Sequence, residues 1–349
     1  MASVREIAKD VGVSITTVSR VLNNSPHVSD DVKERVLAAA NRTRYTASVG
    51  RKSNTNVCLL YTDEVSLKSP FDAGLIAGIY ESLDDHELDL MILDVRRLRA
   101  NGSAISQALM KKGVRGAIVR TTSHTHHICE ALATEGFPAV VVGDRMDHPL
   151  VNTVYADSRD TSREAVNHLL GLGHHRIVIA LNVVEDSDHA DRLAGYEQAH
   201  ADHQIAIDRR LILRAPATRN GGAQLLRRVM MMHVDRPTAI FVTDPLTAAG
   251  LLAEAARMNV VIPRDLSVVG FDDSDLRFSL APELTAVCQD ASELGRRAVT
   301  AVLSVIAQSD TGKEGVADGP PPQIRERLRT WLEIHGTTAV PGAARSSTI

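Results

Sequence analysis

Val11-Gly12-Val13-Ser14-Ile15-Thr16-Thr17-Val18-Ser19-Arg20-Val21-Leu22-Asn23 holds the end of one helix, a tight turn and the start of a second helix. Gly12 supplies the backbone freedom that a turn between two crossed helices needs. Ser14 is a helix-capping residue, and the helix N-terminus it opens carries a partial positive charge suited to a phosphate. Val18, Val21 and Leu22 fall on one face of that helix, while Ile15, Thr16, Ser19 and Arg20 fall on the other. The second set consists of side chains able to read base edges in a DNA groove. Upstream, Ser3 and Glu6 have capping-box spacing, and Val4, Ile7, Ala8 and Val11 recur at i, i+3, i+4 and i+7. Downstream, Ser29 opens a third helix with Val32, Val36, Leu37 and Ala40 inward, so residues 3–44 predict three short helices.

Charge is divided along the chain in the same way. The net charge is -4, yet residues 1–54 hold nine basic and five acidic side chains, which leaves +4 there and, by subtraction, -8 elsewhere. That asymmetry fits a phosphate-facing module on an acidic body. From Asn56 onward the pattern changes to short β-rich runs alternating with helical stretches, as in parallel α/β folds. Strands are expected at residues 57–61, 88–93, 117–119, 139–142, 177–180, 239–242 and 266–271. Seven strands over this length exceed one comfortable sheet and predict two α/β lobes.

Composition narrows the class further. With 44% hydrophobic and 23% charged residues the chain is neither disordered nor collagen-like, and no apolar run reaches membrane-spanning length. The charged N-terminus has no secretory core, which predicts a cytoplasmic protein. Cys58, Cys129 and Cys288 are odd in number and widely spaced, the pattern of reduced thiols and not of a disulfide framework or zinc site. No cofactor and no metal are expected. His124, His126, His127, His174 and His175 lack metal-ligand spacing and are read as surface or capping residues. The Gly- and Pro-rich stretch 310–322 is read as loop or disorder.

The thirteen-residue string resembles the headpiece of the LacI/GalR family of transcription regulators, and the likeness continues through Val28-Ser29, residues 31–41 and Tyr45. In the remainder it is carried by Val154 and Asp157, Gly173-His174, Arg192 with Gly195-Tyr196, Thr238-Ala239-Ile240-Phe241 leading to Asp244, Pro263 through Asp273, and Pro282-Glu283-Leu284-Thr285. The resemblance implies an N-terminal all-α helix-turn-helix headpiece (1–45), a hinge or linker (46–55) and an α/β core of two parallel-sheet lobes (56–336) built like a type I periplasmic-binding protein. It implies lobe crossings near residues 156, 287 and 322, followed by a tail, 337–349, read as disordered.

Functionally, the resemblance implies a homodimeric, sequence-specific DNA-binding regulator, a repressor, that binds a near-palindromic operator and responds to a sugar-like small molecule between the lobes. Carried over by position, Ile15, Thr16 and Arg20 would meet base edges, and Ser14, Thr17, Ser19, Asn23, His27 and Ser29 would hold phosphates. Phe71, Asp72, Asp144, Arg192 and Asp244 would line the effector cleft, carboxylates accepting and arginine donating hydrogen bonds to a polyol. For Asp244, which precedes Pro245, a plain helix cap is an equal reading. Helices over 72–86 and 244–258 are candidate dimer contacts, although core packing explains Leu251 and Leu252 equally well.

Two stretches depart from the family pattern. Thr46 to Thr55 lacks the hinge leucine that would wedge into the minor groove and contains Gly50, so it is a poor helix, and Arg51 and Lys52 become either phosphate contacts or part of a flexible linker. Between Leu211 and Gly221 no aromatic residue offers a stacking platform. Two other classes stand as rivals. An enzyme is disfavoured because nucleophile-elbow, phosphate-loop and paired metal motifs are lacking. A solute-binding protein without a DNA-binding role would share the core but not the headpiece.

Overall fold

The computed structural model describes residues 4–22, 28–42, 56–63, 66–98, 104–232, 236–311 and 323–342. Three helices form the N-terminal unit: α1 (Val4–Val11), α2 (Ile15–Leu22) and α3 (Asp30–Arg42). Their shared core is Ile7, Ala8, Val11, Val18, Val21, Val36, Ala39 and Ala40; all but Ala39 lie on the stripes read from the periodicity, and Val4, Val32 and Leu37 pack against it partly buried. Gly12 has φ +71°, the left-handed conformation that a residue with a Cβ rarely adopts, and this turns α1 into α2. Ser14 caps α2 by accepting from the Thr17 amide at 3.0 Å. Arg35 donates to the Val11 carbonyl at 2.8 Å and satisfies one of the end carbonyls of α1. Ser3, the partner of Glu6 in the expected capping box, lies outside the described residues.

The first lobe follows as β1 (Asn56–Tyr61), α4 (Pro70–Asp84), β2 (Asp89–Asp94), α5 (Val95–Leu98), α6 (Ile105–Lys111), β3 (Val114–Arg120), α7 (His126–Thr134), β4 (Ala139–Val142) and β5 (Asn152–Ala156). The chain then crosses and builds the second lobe as α8 (Arg159–Gly171), β6 (Ile177–Asn182), α9 (Ser187–Asp202), β7 (Ile212–Ala215), α10 (Arg219–Met230), β8 (Ala239–Val242), α11 (Pro245–Arg257), β9 (Ser267–Asp272) and β10 (Thr285–Cys288). It returns through α12 (Ala291–Thr311) and β11 (Arg325–Leu328) and crosses a third time to β12 (Trp331–Glu333). The sheets run β11-β5-β4-β3-β1-β2 and β12-β10-β9-β8-β6-β7, parallel except for the β10–β12 pair. Central strands such as β8 and β9 are buried on both faces because helices cover both sides of a parallel sheet, so they read as continuous apolar runs.

All seven expected strands are present, and five more were not anticipated: β5, β7, β10, β11 and β12. The chain passes between the sheets after Ala156 and after Cys288. The third crossing does not lie near 322. It runs through Arg329 and Thr330, because β11, Arg-Glu-Arg-Leu, is a polar edge strand that hides among the surrounding charges. Thr330 ties this crossing to the first one through the Asp157 carbonyl (3.0 Å) and the Thr161 hydroxyl (2.7 Å).

Two further expectations need correction. Residues 337–342 are not disordered: Thr337 is fully buried, its hydroxyl donates to the Val268 carbonyl at 2.7 Å, and its carbonyl accepts from the Val268 amide at 2.8 Å. Asp310 and Thr311 belong to α12 and not to a loop. The hinge 46–55 and residues 343–349 lie outside the described residues. Leu251 and Leu252 are buried in their own lobe's core, which accounts for them without a second copy, whereas Met258 is exposed.

Helix α4 lies against α12 at backbone contact distance. A Cβ on Gly78 would sit 1.9 Å from the Ser292 carbonyl oxygen, so this residue admits nothing larger than hydrogen. Gly78→Ala should destabilise the first lobe by about 1–3 kcal/mol or more in urea unfolding. Gly171, on α8 with open space where a Cβ would stand, is the matched control, and Gly171→Ala should be neutral or stabilising by up to about 1 kcal/mol. Equal effects at the two positions would show that the close approach is not what fixes the helix pair.

Candidate DNA-reading helix and interlobe cleft

Burying Val18 and Val21 forces the other side of α2 outward. Ser14, Ile15, Thr16, Ser19 and Arg20 are exposed and Thr17 is half-buried; Ile15 shows half of its surface. A branched aliphatic side chain held at 50% exposure beside hydroxyls and a guanidinium suits a partner surface with both methyl groups and hydrogen-bonding edges. Ser29 is exposed at the start of α3, where its carbonyl accepts from the Lys33 amide. Asn23, His27, Arg51 and Lys52 lie outside the described residues.

The second site is a cavity of about 130 Å³ between the lobes, lined entirely from the carboxyl ends of strands and the helix starts that follow them. That is where open parallel sheets place ligands. On the first lobe, Ser69 caps α4 and Pro70 fixes its first turn, which brings Phe71 and Asp72 to the cavity. The Asp72 carboxylate is saturated: it accepts from Tyr61 (3.1 Å), Ser66 (2.7 Å), Ser69 (2.8 Å) and Arg120 Nε (3.3 Å). Arg120, at the end of β3, is thereby aimed into the cavity and lies 4.5 Å above the Phe71 ring. Asp72 acts by orienting Arg120.

On the second lobe, Asp186 caps α9 by accepting from the His189 amide (2.8 Å) and also holds His189 Nδ1 at 2.7 Å. Burial opposes charge on His189, but the Asp186 carboxylate outweighs it and the imidazolium persists up to about pH 9. Arg192 lies one turn further on, buried, with Nη1 on the Thr243 carbonyl (2.8 Å), Nη2 3.5 Å from Asp188 and its guanidinium 3.7 Å above the Phe271 ring. Asp244 occupies the cap position of α11, yet its side chain makes no capping hydrogen bond; its Oδ2 is 3.5 Å from His189 Nε2 and it lines the cavity. Asp273, after β9, accepts from Gln289 Nε2 at 2.6 Å.

Four buried polar atoms around this cavity have no hydrogen-bond partner among the described residues: Asp188 Oδ1, His189 Nε2, Arg192 Nε and Gln289 Oε1. Their residues are more than nine-tenths buried. Such atoms are costly unless something supplies the missing bonds.

Asp144 stands apart from the other expected cleft residues. Fully buried and behind the cavity wall, it accepts from the Arg145 and Ser187 amides (2.9 and 3.1 Å) and bonds His126 Nε2 at 2.7 Å. Ser187 begins α9, so Asp144 ties the first lobe to the second, and Arg145 adds a bond to Asp191 at 2.9 Å. The histidine reading needs a similar revision: His174 is not a surface residue but is buried between Thr238 and the Ala339 carbonyl, at 2.8 Å from each. It holds the 337–342 segment, which explains why that segment is ordered.

Thus Phe71, Asp72, Arg192 and Asp244 converge on one cavity, and Asp144 does not line it. Arg120, Asp186, Asp188, His189, Asp273 and Gln289 were missed. The run Asp186 to Arg192, placed just after β6, was a usable signal, since a polar helix start at a strand end lies at the site in this topology. Ala217 lines the wall, within the stretch between Leu211 and Gly221 that holds no aromatic residue.

Comparison with known proteins places these two sites in a class. Residues 3–48 match bacterial regulatory proteins of the lacI family, and residues 166–328 match the periplasmic binding protein-like domain. The HTH-type transcriptional regulator DegA of Bacillus subtilis is 30% identical over 302 residues, covering 84% of this chain and 88% of its own length. The ribose operon repressor of Haemophilus influenzae is 28% identical over 337 residues, covering 94% and 99%. Among solved structures, a LacI family transcriptional regulator from Enterococcus faecium with bound ribose superposes with a TM-score of 0.68 at 24% identity, over 82% of this chain and 99% of that one. These define a helix-turn-helix transcription regulator with a periplasmic-binding-protein-like core. The chain belongs to the lacI family of bacterial regulatory proteins, and a solute-binding protein without a headpiece is not the favoured reading.

The interlobe tie gives a pH-dependent prediction. The hydrogen bond to Asp144 raises the pKa of His126 above its ordinary value of about 6.5, against the opposing effect of burial. A raised folded pKa stabilises in full below the unfolded value, and the contribution disappears as pH rises through the folded value. His126→Ala should therefore lower the thermal midpoint more in mildly acidic than in alkaline buffer. A deficit that grows with pH would overturn the assignment.

Proposed function

We propose that the chain is a cytoplasmic homodimeric repressor, not an enzyme, that binds a near-palindromic operator with one headpiece per half-site and is released or retained by a small sugar-like effector in the interlobe cleft. The observation that carries the DNA half is the exposed face of α2, where Ile15 shows half of its surface between Ser14, Thr16, Ser19 and Arg20. In this reading Ile15, Thr16 and Arg20 meet base edges. Ser14, Thr17, Ser19, Asn23, His27 and Ser29 hold phosphates together with Arg51 and Lys52. The +4 of residues 1–54 supports the phosphate term, which makes affinity fall steeply with salt.

The effector half rests on the four partnerless polar atoms, which offer two acceptors, one donor and an imidazole nitrogen to a hydroxyl-rich ligand. Arg192, Asp244, Asp273 and Gln289 are its direct contacts, Phe71 and Arg120 form the first-lobe wall, and Asp72 and Asp144 act through the groups they hold. The relatives that carry ribose in their names or structures support a polyol. Because groups from both lobes face one cavity, a ligand there has different affinity for closed and open arrangements, the requirement for a switch.

Selection of bound fragments from a random duplex pool tests recognition, symmetry and half-site spacing together; absence of an enriched duplex at low ionic strength would refute the regulator reading. Arg20→Ala should weaken binding to the selected site by about 1–3 kcal/mol and relax preference at one base pair. An unchanged base preference in that titration would remove Arg20 from the reading set.

A further inference from the structure

The charge of the effector is set by the groups that line the interlobe cavity, an inference that rests on reading this cavity as the effector site. Five carboxylates line it, Asp72, Asp186, Asp188, Asp244 and Asp273, against three basic side chains, Arg120, Arg192 and His189. Pairing consumes the cations unevenly. Arg120 is committed to Asp72 at 3.3 Å and His189 to Asp186 at 2.7 Å. Arg192 is 3.5 Å from Asp188. Asp244 is left with the far side of the His189 ring at 3.5 Å, and Asp273 with the neutral amide of Gln289 at 2.6 Å. The cavity thus holds two more carboxylates than cations, and the shortfall lies on the Asp244 and Asp273 side.

We propose that the effector is a cationic polyol, a small polyhydroxylated molecule bearing a protonated amine, as in an amino sugar, with its ammonium at Asp244 and Asp273 and its hydroxyls at Asp188, Arg192 and Gln289. The hydroxyls follow from the partnerless atoms: Asp188 Oδ1 and Gln289 Oε1 accept, and Arg192 Nε donates. The amine follows from the charge. A buried carboxylate without a cation is costly, and an ammonium within hydrogen-bond reach offsets that cost, whereas a sugar acid or sugar phosphate would add to the excess. Burial raises the Asp273 carboxyl to about 6 even with Arg192 pulling the other way, and Asp244 adds to the rise. Burial likewise raises Asp188, with Arg192 opposing the rise and Asp186 adding to it. One further observation narrows the class. No group of three His, Cys, Asp or Glu side chains among the described residues is placed to hold a metal ion, which favours an organic cation.

The test is calorimetric titration of the full-length protein with matched sugars that differ in an amine for a hydroxyl: glucosamine against glucose, galactosamine against galactose and mannosamine against mannose, with glucuronate and galacturonate as anions and calcium chloride alone as the metal control. At least one amine should bind about 10-fold or more tightly than its neutral partner, and both anions should be silent. Asp273→Asn, which keeps shape and removes the charge, should abolish most of that preference; if it does not fold, Asp244→Asn carries the same expectation. A neutral or anionic sugar that binds more tightly than every amine, or an amine preference that survives both substitutions, overturns the charge proposal and leaves the effector cleft standing. Binding of calcium ions alone overturns it in favour of a metal site. Silence of every sugar takes down the cleft reading and the proposal with it.

Discussion

A buried polar atom must find a partner, and among the described residues four of the atoms that lack one belong to side chains lining the cavity between the lobes. Each partnerless atom costs about 1–3 kcal/mol in a closed, dry site. Asp188, His189, Arg192 and Gln289 each contribute one such atom to a single cavity, although other atoms of the last three side chains are hydrogen-bonded. Around the cavity the scaffold thus leaves one atom of each of these side chains without a partner. The Asp72 carboxylate shows the contrary case: four donors fix it, and Arg120 and the start of α4 are fixed with it.

The same unmet bonds explain how two lobes can respond to one small molecule. Contacts that already span the junction, such as Asp144 to the Ser187 amide and Ser123 to the Glu185 carbonyl, favour approach of the lobes without any ligand. The partnerless atoms oppose it. A ligand that supplies their hydrogen bonds removes the opposing cost only when both lobes surround it, so its differential affinity is built into the position of the cavity. The first and third crossings are laced together through Thr330, Asp157 and Thr161.

How far the sequence was legible depended on whether function and packing used the same signal. The headpiece could be read almost completely, since its apolar stripes, the Gly12 turn and the Ser14 cap are local features. Doubly buried strands announced themselves as apolar runs. Edge strands did not: β11 is Arg-Glu-Arg-Leu and owes its conformation to pairing with β5, a contact distant in sequence. The ordered segment 337–342 was missed for a related reason, because His174, which holds it, is 165 positions from its bonding partner Ala339. In the cleft, Phe71, Asp72, Arg192 and Asp244, read from the family pattern, line one cavity. Residues whose role comes from a partner across the cavity, such as Asp273 with Gln289, carry no local mark.

The two sites also divide the electrostatic work in a way that neither could manage alone. The net +4 of residues 1–54 attracts a polyanion, and the -8 of the rest repels it, so long-range forces present the headpiece and not the body to a duplex. The excess of carboxylates in the cavity extends the same polarity inward. Phosphates and other anions that crowd a DNA-bound protein are kept from the effector cleft by the sign of its charge, and a cation is drawn to it. A regulator whose body is acidic and whose pocket is more acidic still can therefore sit on a polyanion without its sensor being occupied by the anions around it.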